Sequence, residues 1–168
     1  MTLRPATLED LPFLLELEAS FRSQGFVGGD SAETHQRQLS DPDCRYWVVD
    51  EEGERAGYVI LRGLSSINRS IELKRIVIKD PGRGLGRQVL RTLIDRAFQE
   101  LSAHRLWLDV FESNARARHL YASLGFVEEG MLRDCICWVD GFRSLVVMSM
   151  LEAEYQARFQ AQLGSTSY

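Results

Sequence analysis

Hydrophobic spacing changes period along this chain, and each change marks an element. "TLRP" alternates as a short strand. Thr7 and Asp10 then form a variant capping box ahead of an apolar helical stripe that starts near residue 8 in "LEDLPFLLELEASFR". "SAETHQRQLSD" is a second, short helix that Pro42 ends. The β-branched and aromatic runs of "CRYWVVDEEGERAGYVILRGL", joined by an acidic turn containing Gly53, predict a hairpin, and "SIELKRIVIKD" predicts the next strand. Val89, Leu90, Leu93, Ile94, Ala97, Phe98 and Leu101 recur at helical spacing. "HRLWLDVFE" follows as a strand, and "NARARHLYASLG" as a helix closed by Gly125, where a left-handed residue is least costly if it is glycine. "FVEEGMLRDCICWVDGFRSLVVMSML" predicts two strands turning at "VDG", and "EAEYQARFQAQL" a last helix before a frayed "GSTSY".

Mostly hairpin-connected strands with one strand-helix-strand crossover make an α+β fold, with a mixed, mostly antiparallel central sheet flanked by helices. A length of 168 residues suits one domain, 1–168, with a core over about 2–150 and a C-terminal extension at 151–168. No apolar run approaches the roughly 18 residues a membrane span needs, and "MTLRPATLEDLPF" has no basic end followed by an apolar block, so a cytoplasmic location is expected. A net charge of -4 disfavours nucleic acid and favours cationic small molecules or basic peptide ends. Three cysteines cannot all pair within one chain, and the histidines at 35, 104 and 119 are scattered, so reduced thiols and no metal are expected.

"KDPGRGLGRQVLRTL", residues 79–93, breaks a β-like run with three glycines in five positions and continues as an amphipathic helix. A helix N-terminus offers unpaired N–H groups and partial positive charge, and glycines let an anion approach the backbone. A nucleotide-triphosphate loop is excluded, because no lysine followed by Ser or Thr comes after the last glycine. A dinucleotide fingerprint fails as well: Gly84 and Gly86 fit its first two positions, but Val89 stands in the third. A plain tight turn explains the loop equally well on its own.

The run "ELKRIVIKDPGRGLGRQVL", followed by "LWLDVFESNARARHLYASLGFVEEG", resembles the two central motifs of the GCN5-related N-acetyltransferase superfamily. Its strongest parts are the R-G-x-G loop and the N-x-x-A-x-x-L-Y-x-x-x-G-F string from Asn114 to Phe126. The resemblance spans roughly residues 2–150. It implies an acyl-CoA N-acyltransferase fold and an enzyme that moves an acetyl group from acetyl-CoA to an amine, without a metal. One departure is Pro81, which stands where the family usually has Gln or Arg and offers no N–H.

Roles implied by the resemblance follow residue by residue. The backbone of Ile76, Val77 and Ile78 would pair with the pantetheine arm as an added strand, beside the ordinary reading of these residues as core. Amides from Gly82 through Arg83, Gly84, Leu85 and Gly86 to Arg87 would take the pyrophosphate, with the Arg83 and Arg87 side chains adding charge. Tyr121, which taken alone is a core aromatic, would donate to the departing thiolate, and Asn114 would cap its helix and touch CoA. Glu72, four residues before Ile76 and so expected on the same strand face, is the candidate for activating the amine, with Asp109 and Glu112 in reserve. Its ordinary reading is a solvent-facing strand acid. Cys44, Cys135 and Cys137 are assigned to packing.

The closing strands resemble the subgroup of ribosomal-protein N-terminal and polyamine acetyltransferases, which implies a peptide amino terminus or a polyamine-like amine as acceptor. The cleft for it is expected from residues 22–34 and the turn near Asp140, Gly141 and Phe142. A non-catalytic acyl-CoA-binding regulatory module is the alternative to an enzyme. A homodimer is kept open as the assembly.

Overall fold

A computed structural model describes residues 1–22 and 29–164, with the side chains of residue 22 and of 159–164 outside the description. The chain runs β1 (Thr2–Pro5), one 3-10 turn (Leu8–Asp10), α1 (Leu11–Arg22), α2 (Ala32–Leu39), β2 (Cys44–Glu51), β3 (Glu54–Arg62), β4 (Ser70–Ile78) and α3 (Leu85–Asp95). It continues through a π-helical turn (Arg96–Glu100), β5 (Arg105–Phe111), α4 (Ala115–Leu124), β6 (Val127–Trp138), β7 (Gly141–Leu151) and α5 (Glu152–Gly164). The elements expected from periodicity are all present. The π turn was not foreseen; it adds one residue per turn while keeping Ala97 and Phe98 buried beneath it.

Seven strands form one sheet in the order β1-β2-β3-β4-β5-β7-β6. Every neighbouring pair is antiparallel except β4 and β5, which α3 joins as a crossover. One face carries the larger core, where Leu85, Val89, Leu90 and Leu93 of α3 and Tyr121 and Leu124 of α4 meet Ile71, Leu73, Leu106, Leu108 and Met148. On the other face Leu14 and Leu17 of α1 cover Tyr46, Val48, Tyr58, Ile60 and Val77. Burial of these apolar surfaces is the main force holding helices to sheet.

Two features position the site. First, β4 and β5 pair only from Ser70↔Arg105 to Glu72↔Trp107, then separate, so Ile76–Ile78 pair with β3 alone. A wedge opens between the two central strands. Second, the β3–β4 ladder slips between Ile60↔Arg75 and Leu61↔Leu73, which leaves Lys74 as an extra residue, a β-bulge. The bulge reverses the alternation of faces, so Leu73 and Ile76 both lie on the α3 side. Glu72 therefore faces the α1–α2 side, opposite Ile76, which corrects the expectation that the two share a face.

α5 docks on its own chain. Tyr155 stacks on Phe98 with ring centroids 4.7 Å apart and donates to Asp95, while Arg158 donates to the Leu124 carbonyl at 2.6 Å at the end of α4. The three cysteines are free, but only Cys44 is buried. Cys135 and Cys137 are exposed because β6 is an edge strand open to solvent, so packing does not account for them.

Candidate active site

Gly84 sits at φ 84° as the N-cap of α3, a left-handed value that favours glycine. Gly82 is also left-handed, at φ 109°. The amides of Arg87 and Gln88 donate back to the Gly84 carbonyl at 3.1 and 3.2 Å. The Arg87 amide is thus used inside the helix start, a correction to its place among the anion-binding amides, and its guanidinium alone remains available. Amides 82–86 have no acceptor among the described residues. Arg83 and Arg87 have no ion-pair partner there either. Free N–H groups, a helix N-terminus and unpaired cations in one place form an anion cradle.

Along the wedge, strand alternation decides which backbone groups are free. Lys79 N–H donates to the Ala56 carbonyl at 2.8 Å, so Val77, two residues earlier, also turns its N–H and C=O to β3. Ile76 and Ile78 turn theirs into the wedge. This corrects the expectation for Val77, whose side chain is instead packed on the α1 side at 2% exposure. A strand-like ligand arm entering the wedge meets two sets of main-chain groups, not three.

On the α1–α2 side of the wedge stand Glu72 and Asp109. Glu72 is buried and held by Arg62, whose Nε donates to it at 2.7 Å, so it is no free surface acid. Asp109 lies on β5 between Leu108 and Val110, which face the other core, and so shares the face of Trp107. It is open to solvent from one direction yet crowded by protein on the others. That crowding, followed by the nearby Glu72 charge, pushes its carboxyl above the ordinary range. Glu112 is exposed just past the end of β5, where its backbone is engaged, the N–H with the Ser144 carbonyl and the C=O with Arg118, while its carboxylate has no partner among the described residues.

From the α4 side comes Tyr121, buried at 8% exposure with its ring edge-on to Phe126 at 5.8 Å. Burial, and then the Asp109 charge across the wedge, push its phenol up to about 12. Its hydroxyl has no hydrogen-bond partner among the described residues. Asn114 caps α4, with Oδ1 accepting from Ala117 N–H at 3.1 Å, as the sequence pattern requires. Tyr121 and Asp109 thus approach one opening from opposite faces, while the cradle lies at its end.

Of the expected acceptor cleft, residues 23–28 lie outside the described residues. The rest is wall. Asp30 and Lys74 pair at 2.6 Å, and Asp30 N–H donates to Glu18 at 3.2 Å. Glu18, 3% exposed, also accepts from Tyr58 at 2.6 Å and from Arg75, and His35 Nε2 stands 3.2 Å away, off the line of a directed hydrogen bond. These partners hold the Glu18 carboxyl below its ordinary range even though burial opposes it. Sequence reading missed this network, because it joins residues of α1, α2 and β4 that no local spacing connects. Near the tip of the β6–β7 hairpin, Trp138 lies edge-on to Phe111 at 5.5 Å. A concavity of about 610 Å³ lined by Arg4, Asp10, Asp50 and Arg55 lies at the β1–β2 end of the sheet. Its carboxylate Asp10 is already bonded to Arg4 at 2.7 Å.

Residues 11–126 match the model of the Acetyltransferase (GNAT) family, and the chain belongs to that family. It is an acetyl-CoA-dependent N-acetyltransferase, with acetyl-CoA as co-substrate. It is 27% identical over 163 residues to spermidine N(1)-acetyltransferase of Escherichia coli, covering 92% of this chain and 88% of that one. It is 33% identical over 142 residues to N-alpha-acetyltransferase RimI of Mycobacterium tuberculosis, covering 79% and 82%. The spermidine N-acetyltransferase of Vibrio cholerae, solved in complex with CoA and spermine, superposes with a TM-score of 0.82 at 28% identity, over 92% of this chain and 97% of that one. No helix among the described residues is long and apolar enough to cross a membrane.

Proposed function

We propose that this enzyme acetylates a small polyamine-like amine by direct attack in a ternary complex, with Asp109 rather than Glu72 receiving the amine's proton. The pantetheine arm enters the wedge and bonds Ile76 and Ile78, and the diphosphate rests on amides 82–86. One observation carries the acceptor chemistry: a carboxyl of raised proton affinity, Asp109, sits beside a second acid, Glu72, where β4 and β5 part. An alkylammonium has a pKa near 10, and only its neutral form attacks, so two acids at one mouth attract the cation and Asp109 accepts its proton. Glu72, tied to Arg62, acts through its charge on Asp109. The likeness to enzymes named for spermidine supports this acceptor class. The RimI relative supports a peptide amino terminus as the second reading.

In the step itself, the amine nitrogen bonds to the thioester carbon and the carbonyl becomes an oxyanion facing the Ile76 or Ile78 N–H. Collapse expels the CoA thiolate, and Tyr121 donates a hydrogen bond to the sulfur. A phenol near 12 set against a thiol near 8.5 makes full transfer uphill by about 5 kcal/mol. The role of Tyr121 is therefore a hydrogen bond to the leaving sulfur, with protonation completed from solvent. The Vibrio cholerae relative is described as a dodecamer, and the exposed apolar Val127, Met131 and Leu132 on edge strand β6 support self-association here too.

Thiol release from acetyl-CoA, measured across an amine panel, tests the reading. Spermidine-like amines are expected to outrun peptide amino termini, and Tyr121→Phe to lower kcat by roughly 30- to 100-fold, the loss of one transition-state hydrogen bond, with CoA affinity unchanged. A Tyr121→Phe variant with full turnover returns the residue to the core, and thiol release with peptides alone reverses the acceptor assignment.

A further inference from the structure

Arg116 stands in the first turn of α4. Its guanidinium reaches across to the glycine loop: a Cβ built on Gly82 would lie 3.7 Å from Arg116 Nη2. Two residues on, Arg118 is engaged, donating to Glu128 at 2.9 Å and to the Glu112 carbonyl at 3.2 Å. Arg116 has no carboxylate or other acceptor among the described residues. Arg83 and Arg87 are unpaired as well, so three arginines without a carboxylate partner among the described residues, from two helices and a loop, lie in or beside the segment that carries the free amides 82–86. Like charges gathered this way repel unless a ligand anion joins them.

Pro81 gives the arrangement its reason. Proline has no N–H, so the loop enters the cradle one donor short. We propose that Arg116 closes the diphosphate site from α4, supplying in a charged side chain the contact that the backbone at residue 81 cannot make. Gly82 serves this contact directly, because its φ of 109° and missing side chain leave the gap between loop and guanidinium open. Arg116 is thus a coenzyme-binding residue and takes no part in the chemical step. This inference rests on the acetyl-CoA reading of the cradle.

Calorimetric titration of CoA, and separately of pantetheine, which lacks the diphosphate, tests it on the full chain. Arg116→Gln is expected to weaken CoA binding about tenfold, as for one charge-assisted contact, and leave pantetheine binding unchanged. Added salt should weaken CoA binding less in Arg116→Gln than in the wild type, because one screened charge contact is gone. Arg116→Lys should recover part of the loss. Arg91→Gln, further along α3 on its exposed face, should match the wild type in every titration. Unchanged CoA affinity in Arg116→Gln overturns the inference, as does an equal loss for pantetheine. A wild-type chain that binds no CoA overturns the cradle reading itself, a distinct result.

Discussion

Arg75 and Arg87 carry the same guanidinium and are used in opposite ways. Arg75, on the bulged part of β4, is buried to 12% side-chain exposure and answered by Glu18 and by Asp30 at 3.3 Å. Arg87, at the start of α3, is answered by nothing in the described chain. A charge satisfied from within holds elements together; a charge left open beside free amides waits for a ligand. The same division separates Arg118 from Arg116 on one helix. Counting a protein's cations therefore says little until each is asked for its anion.

Breaking the closed side should have the largest effect. Arg75→Met leaves the Glu18 carboxylate buried without its cation, and losing one partner of such a pair costs about 3 to 5 kcal/mol. Chemical denaturation should show this fall in unfolding free energy. A loss under about 1 kcal/mol would mean that His35 and Tyr58 suffice for Glu18, and the contrast with Arg87 would collapse.

The open side gives the next effect. Gly84→Asp places a carboxylate on the cradle and forces a left-handed φ of 84° on a residue with a Cβ, although nothing within 4 Å obstructs it. CoA affinity should fall at least about a hundredfold from charge repulsion and the lost approach, with a stability loss of only about 1 kcal/mol for the backbone. Titration calorimetry beside thermal melting reads the two separately. Retained CoA affinity would take the diphosphate off this loop.

These two regions were unequally legible before the fold was known. The cradle is local: Gly84, Gly86 and the stripe from Val89 to Leu101 lie in one stretch, and a helix start needs no distant partner to be recognised. Asn114 and Gly125 declared the ends of α4 for the same reason. The closed network joins Glu18, His35 and Arg75, and nothing in a linear pattern says that α1, α2 and β4 will converge. The bulge at Lys74 leaves a trace in the sequence: in "SIELKRIVI" the apolar positions fall on 71 and 73, two polar residues follow, and they resume on 76 and 78, a change of parity that an unbroken period of two from Glu72 to Ile76 ignores. Arg116 shows the same limit from the open side, since its meaning comes from Gly82, which precedes it by a strand and a helix.

The smallest effect concerns pH and sharpens the contrast away from the wedge. Asp10 belongs to the closed class: Arg4 donates to both its oxygens, at 2.7 and 2.8 Å, and the Thr7 N–H donates at 2.9 Å. The Arg4 hydrogen bond is the largest influence that brings its carboxyl down to about 2 from an ordinary 3.8, against the opposing effect of burial. Because the folded value is the lower one, the contribution to stability is fully present above about pH 4 and is lost as pH falls toward 2. A shift of this size corresponds to about 2 kcal/mol, held to that low figure by the partly exposed Arg4. Asp10→Asn should therefore lower the unfolding free energy by about that amount at pH 7 and by little at pH 2. Unfolding curves for the two chains that stay parallel across this range would mean that Asp10 is held by packing alone, and that an answered charge need not be a stabilising one.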